Sequence, residues 1–229
     1  RIMMAVGAIG VLLAVLNMTG FGIRFSGLIL ALGEGTLFLS LIYTMLGALI
    51  LGMGLPTLPA YLIIVLVMGP ALQDLGIPIL VAHMFVLYFG VLSAITPPVA
   101  LAAYAAAPIA GSRPLATGAI AVRLAVIGFI IPYVFAFHPS LLLVVKFDVV
   151  EFIWVLARLI VAIWMLSTGL AGFGSVTLDY WSRFARLLCA AGVLYPDLMV
   201  QLAAVGVAVL LHIYELRKDR IRSIKQGGE

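Results

Sequence analysis

Two stretches decide the fold: Leu51-Gly52-Met53-Gly54-Leu55-Pro56-Thr57 and Ser93-Ala94-Ile95-Thr96-Pro97-Pro98-Val99. Each stands near the middle of a run without charge, residues 35–73 for the first and 75–112 for the second. One membrane crossing takes roughly 17–25 apolar residues, so each run is too long for a single span. Each is read as two helical arms meeting at a break. Proline inside a helix removes a hydrogen bond and clashes with the preceding turn, and it pushes the residue before it toward extended geometry. Pro97-Pro98 therefore imposes a non-helical stretch at Ile95–Pro97, with the helix restarting so that Pro98 lies in its first turn. Backbone groups freed at bilayer depth have no water to turn to, so such breaks persist where they line a protein-enclosed cavity. A single kink is ordinary in a membrane helix, where Gly and Pro are common. Two breaks, each central in an over-long run, instead point to a binding site of the kind secondary transporters build from discontinuous helices.

Working outward, the composition agrees. The chain has 229 residues, 65% hydrophobic and 10% charged, with a mean hydropathy of +1.29. Soluble domains carry about 25% charged residues, so this is an all-α, polytopic helical membrane protein; the short alternating segments of a transmembrane barrel are absent. Net charge is +4, concentrated at the C-terminal end in Arg217, Lys218, Arg220, Arg222 and Lys225. A basic tail after an apolar run reads as a cytoplasmic anchor, not as a nucleic-acid contact. The lone Cys189 forms no internal disulfide, and no Cys/His spacing suggests zinc. The chain opens at Arg1 without Met or signal peptide and is read as a segment of a longer protein.

Residues 2–23 are long enough for one crossing, with Asn17, Thr19 and Gly20 ending the regular helix early. Residues 24–34 read as a short interfacial helix. The first run follows as an arm at 35–51, a tip at 52–56 and an arm at 57–70, a full or re-entrant hairpin closed by Gly69-Pro70 and the loop to Pro78. The second run gives arms at 79–95 and 99–110, with alanine-rich Ala100–Ala107 suited to close packing. Further spans are expected at 124–145, 159–178 and 198–214, with an interfacial helix at Asp179–Arg186. Asp148, Glu151 and Arg158 are expected to snorkel or pair near a membrane face, and Trp154, Trp164 and Trp181 to form an interface belt or lipid-facing packing. Arg113 and Arg123 argue for a cytoplasmic loop, as does the tail, yet three spans between them cannot return to the same side. Either 182–196 also crosses, or one stretch is re-entrant, or Arg113 and Arg123 face outward.

Apart from Asp74, residues 35–112 carry no carboxylate, lysine or arginine. A proton relay through the membrane needs a titratable group, and His83, the one available, reads as a packed or interfacial histidine. Calcium and magnesium want carboxylate oxygens, whereas sodium can be held by carbonyls and hydroxyls. The carbonyls freed at Gly52–Leu55 and Ala94–Thr96, with the Ser93 and Thr96 hydroxyls, supply such ligands. Helices restarting after Pro56 and Pro98 aim positive dipole ends at the gap, with Thr57 and Thr96 beside it, an arrangement suited to a carboxylate. No separate cofactor is implied. Two rivals remain: a non-transporting membrane scaffold, and an intramembrane enzyme. Against the enzyme, Ser93 and His83 lie about three turns apart on one helix, and neither paired intramembrane aspartates nor His-Glu-x-x-His is present.

Leu51–Thr57, Ala60-Tyr61, Ala82–Gly90 and Ser93–Tyr104 together resemble the large membrane subunit of TRAP (tripartite ATP-independent periplasmic) transporters. The variant most resembled is the fused permease, with residues 1–145 matching the C-terminal half of the large subunit's transport region. Residues 146–229 are similar to the helical extension that ends fused permeases. The resemblance implies sodium-driven uptake of an organic acid across the bacterial inner membrane, with substrate delivered by a periplasmic binding protein. It also implies an elevator motion against a scaffold. On this reading 35–70 is the second re-entrant hairpin and 79–110 the discontinuous helix beside it. Gly52, Met53, Gly54, Ser93, Thr96 and Val99 hold sodium, mostly through backbone carbonyls, and Thr57, Thr96, Pro97 and Pro98 approach the substrate. The other partners implied are the N-terminal half and the small membrane subunit.

Overall fold

The computed structural model describes residues 2–33, 36–145, 147–174, 177–195 and 197–226. Glu34, one boundary of the first charge-free run, lies outside the described residues, as do the side chains of Arg217, Lys218, Arg220, Arg222 and Lys225. Among the described residues the secondary structure is helical, apart from an isolated bridge between Phe173 and Thr177. Two compact units divide the chain, Arg1–Lys146 and Phe147–Glu229.

In the first unit, α1 (Ile2–Met18) stops where Gly20 adopts a left-handed φ of 62°. Helix α2 (Phe21–Leu32) then departs at 65°. Next come α3 (Leu37–Gly52), α4 (Thr57–Asp74) and α5 (Ile79–Leu92), the last prolonged by a 3-10 turn at Ser93–Ile95. Short α6 (Leu101–Ala106), long α7 (Pro114–Phe137) and a 3-10 turn at Pro139–Leu142 complete it. The second unit holds α8 (Val149–Ala171), α9 (Tyr180–Leu194) and α10 (Leu198–Gln226). Among the described residues three helices, α4, α7 and α8, are long and apolar enough to cross a membrane, and the bent α1–α2 pair makes a fourth if it counts as one span.

Both expected breaks are present, but several boundaries move. Helix α4 does not close at Gly69-Pro70; it runs through Pro70 to Asp74. Pro70 leaves the Leu66 carbonyl without its helical donor, and α2 covers that spot. Gly22 lies so close that an added Cβ would meet Leu66 O at 3.0 Å. The buried Ser26 hydroxyl donates to the next carbonyl, Val67 O, at 3.2 Å. A neighbouring helix thus stabilises the proline that sequence alone reads as a stop.

The expected span at 124–145 begins ten residues earlier, at Pro114, and ends at Phe137. Arg113 is extended before its proline (φ −74°, ψ 133°) and Pro114 opens α7. Arg123 therefore sits within a helix and not in a loop. The stretch read as 159–178 is α8, starting at Val149 because Asp148 caps it by accepting the Glu151 N–H at 2.8 Å. It stops at Gly172, whose φ of 71° only glycine adopts readily. The second arm of the broken helix is shorter than 99–110 and starts at Leu101, not at Pro98.

Helix α5 forms the centre of the first unit. Val81, Ala82, Phe85, Val86 and Phe89 are fully buried, against Leu41 of α3, Ile64 and Met68 of α4 and Phe135 of α7. Phe85 meets Phe89 and Tyr133 edge-on, with centroids 4.9 and 5.5 Å apart, geometry that aromatic quadrupoles favour. With this face buried, α5 carries its C-terminal end at Ser93 into the unit's interior, where the first break meets it at Gly52.

In the second unit both α9 arginines turn inward, contrary to the interfacial reading of Asp179–Arg186. Arg183 donates from Nε to Gly169 O at 3.0 Å and from a terminal nitrogen to Leu170 O at 3.3 Å, closing the C-terminal end of α8. Arg186 is fully buried; it donates to Thr168 Oγ1 at 2.5 Å and lies 5.5 Å from the Trp164 ring centre. The face of α9 left exposed is aromatic and apolar: Tyr180, Trp181, Phe184 and Leu188. Arg158 is also buried, so it does not snorkel. Of the three tryptophans, Trp181 is exposed, Trp164 stacks edge-on with His212, and Trp154 donates to Gln201 at 3.2 Å.

Candidate functional site

The first break is a type II β-turn. Met53 (φ −59°, ψ 129°) and Gly54 (φ 76°) occupy its central positions, and Leu55 N donates to Gly52 O at 3.2 Å. That turn demands positive φ at its third residue, which explains glycine at 54. Pro56 then fixes an extended exit (φ −62°, ψ 154°) and α4 starts at Thr57. Among the described residues no backbone N–H donates to the Met53 or Gly54 carbonyls.

The second break follows from missing donors. The N–H groups that would pair helically with the Ser93 and Ala94 carbonyls belong to Pro97 and Pro98, which have none. Ser93 O is rescued by Thr96 N at 3.2 Å, tightening the chain into a 3-10 turn. Thr96 is then extended (φ −94°, ψ 121°), as a residue before proline must be. After the prolines an inverse γ-turn centred on Ala100 (φ −80°, ψ 75°) is closed by Leu101 N on Val99 O at 3.0 Å. This γ-turn is why the helix resumes at Leu101. The two prolines and the γ-turn hold the chain out of helical geometry for longer than one turn.

The two breaks abut. Gly52 is buried against Ser93, and a Cβ added to Gly52 would lie 2.5 Å from Ser93 Oγ and 2.9 Å from Ser93 Cβ. At the tip, a Cβ on Gly54 would meet Val99 Cγ1 at 3.4 Å. Two pairs among the sequence candidates, Gly52 with Ser93 and Gly54 with Val99, are therefore brought together, Gly52 so closely that no side chain fits between it and Ser93. Met53 lies between the two glycines. Thr96, Pro97 and Pro98 follow Ser93 along the second break, with Pro97 half-buried and Pro98 exposed. Thr57 stands exposed at the start of α4 and takes no part in these close approaches.

The hydroxyls are committed locally. Ser93 Oγ donates to Gly90 O at 2.7 Å and Thr96 Oγ1 to Leu92 O at 2.8 Å. Their protons point back along α5, which leaves the oxygen lone pairs as the groups available to a cation. His83 lies elsewhere, with Nδ1 2.8 Å from the Tyr61 hydroxyl between α4 and α5. Among the described residues no three His, Cys, Asp or Glu side chains gather as metal ligands.

Two residues outside the sequence candidates for the site also touch the second break. Tyr104 of α6 donates its hydroxyl to Pro98 O at 2.7 Å. Gly118 of α7 is buried so close that a Cβ there would meet Pro97 Cγ at 3.0 Å and Tyr104 Cε1 at 3.4 Å. Tyr104 closes the stretch that carries the family resemblance, but neither contact is legible in the sequence, because they join positions on three different elements.

Fold and site together define a multi-pass α-helical membrane protein with two interrupted helices packed break against break. The family model described as Tripartite ATP-independent periplasmic transporter, DctM component, matches residues 1–150. The chain belongs to that family and is a component of a transporter. No curated protein and no solved structure matches it.

Proposed function

We propose that this chain forms part of a sodium-coupled carrier that brings an organic acid anion across the bacterial inner membrane, the anion being delivered by a periplasmic binding protein. The observation that carries the reading is the direct apposition of the two breaks, Gly52 on Ser93 and Gly54 on Val99. Carbonyls to which no backbone N–H donates among the described residues stand on both sides, at Met53 and Gly54 and at Ala94 and Thr96, and suit a weakly polarising monovalent cation. The residues proposed for sodium are Gly52, Met53, Gly54, Ser93, Thr96 and Val99. The exposed N-terminus of α4 at Thr57 offers unpaired N–H groups to a carboxylate, with Thr96, Pro97 and Pro98 as the facing wall. The small membrane subunit and the rest of the large subunit complete the machine, which moves substrate by an elevator displacement.

The test is uptake by the full-length transporter in proteoliposomes, with its binding protein and a panel of labelled organic acids. An inward sodium gradient is expected to drive accumulation. Uptake of equal rate and extent with sodium replaced by choline would refute the coupling.

A further inference from the structure

We propose that Tyr104 and Gly118 form a clasp that positions the double-proline turn, and that this clasp sets the affinity of the cation site; the second half of the statement rests on the sodium reading above. The double-proline turn lacks the means to hold itself. Pro97 and Pro98 have no N–H, and Thr96 N and its hydroxyl are both used on the α5 side, at Ser93 O and Leu92 O. On the far side, among the described residues, Pro98 O receives the Tyr104 hydroxyl at 2.7 Å and Val99 O receives Leu101 N at 3.0 Å. The second of these spans only the adjoining γ-turn. Tyr104 thus ties the turn to α6 across six residues.

Gly118 adds the other jaw. Its missing side chain lets α7 seat close to the Pro97 and Tyr104 rings, where an added Cβ would lie 3.0 Å from Pro97 Cγ and 3.4 Å from Tyr104 Cε1. Pro98 and Val99 themselves are exposed, so little else restrains them from that side. The hydroxyl also occupies the Pro98 carbonyl, which leaves the carbonyls of Ala94 and Thr96, to which no backbone N–H donates among the described residues, as this break's ligands for the cation. A turn ordered before the ion arrives leaves less freedom to lose on binding. Tyr104 is a positioning residue in this scheme and does not touch the ion.

The experiment compares the full-length transporter with its Tyr104→Phe variant, which removes one oxygen and keeps the ring against Gly118. Two readouts are taken: amide hydrogen exchange of the segment 99–104, and the sodium half-saturation of uptake alongside its maximal rate. Loss of one hydrogen bond is expected to speed exchange and raise the sodium half-saturation each by about two- to tenfold, with the maximal rate unchanged. Gly118→Ala, which presses on Pro97 and on Tyr104, is expected to act in the same direction and serves if the first variant fails to insert. Exchange equal to that of the wild type overturns the clasp. Faster exchange with an unaltered sodium half-saturation overturns its role in affinity. Wild-type uptake indifferent to sodium refutes the coupling instead, and the exchange readout then decides the clasp alone.

Discussion

Replacing Gly52 with alanine places a Cβ 2.5 Å from Ser93 Oγ and 2.9 Å from Ser93 Cβ. Carbon atoms rest about 3.5–4.0 Å apart, so the two breaks must separate by roughly 0.6 Å at this point before the carbons fit. Neither partner can swing aside cheaply. Ser93 is fully buried and its hydroxyl is held by Gly90 O, while the next neighbour of Gly52 is Ile64 Cδ1 at 3.4 Å. Overpacking of this kind costs about 1–3 kcal/mol, and the helix preference of alanine over glycine at the end of α3 returns about 0.5–1 kcal/mol of it. A double-mutant cycle removes that offset. Gly52→Ala, Ser93→Gly and the double variant are compared in the full-length protein by thermal unfolding and by sodium half-saturation. Ser93→Gly alone loses the bond to Gly90, and the double variant restores room for the new methyl group. The expected coupling is about 1–3 kcal/mol in favour of the double variant, with sodium half-saturation recovering toward that of Ser93→Gly. Additive effects at the two positions would refute the apposition of the breaks.

Three further outcomes are expected. Thr96→Ala removes the oxygen bonded to Leu92 O and should weaken the sodium dependence of uptake about two- to tenfold while leaving membrane insertion intact; unchanged sodium activation in vesicles would count against the residue. Pro97→Ala combined with Pro98→Ala returns two backbone donors to α5 and should extend the helix and abolish uptake; wild-type transport would show the break to be incidental. Arg186→Ala removes the fully buried donor to Thr168 and the cation beside Trp164 and should destabilise the second unit by about 1.5–3 kcal/mol, the worth of a hydrogen bond from a charged group, read as a lowered unfolding temperature by Trp fluorescence, whereas an unshifted transition would show that those contacts contribute nothing.

The breaks were legible because their causes are local. Glycine at 54 answers the φ of a type II turn, and two prolines delete two donors whatever surrounds them. What escaped the sequence was set by neighbours distant along the chain. Pro70 reads as a stop until Gly22 and Ser26 of α2 are seen covering the strip of carbonyls it disturbs. Arg123 reads as a loop residue because charge is costly in a membrane span, yet a single arginine does not interrupt α7. Arg183 and Arg186 read as interfacial by composition, but the carbonyls at the end of α8 and the Thr168 hydroxyl draw them inside. The place where Gly52 meets Ser93 belongs to the same class: both residues were candidates, and only the packing of α3 against the end of α5 brings them together. Family membership, resting on residues 1–150, agrees with the half of the chain that holds both breaks.

The most direct test of the central claim is anomalous scattering from thallium(I), a monovalent cation that substitutes for sodium, in crystals of the full-length transporter. The account predicts a peak between the Gly52–Gly54 turn and the Ser93–Val99 segment, within coordination distance of carbonyls from both and displaced by excess sodium. Crystals that bind thallium elsewhere, with no peak between the two breaks, would contradict it.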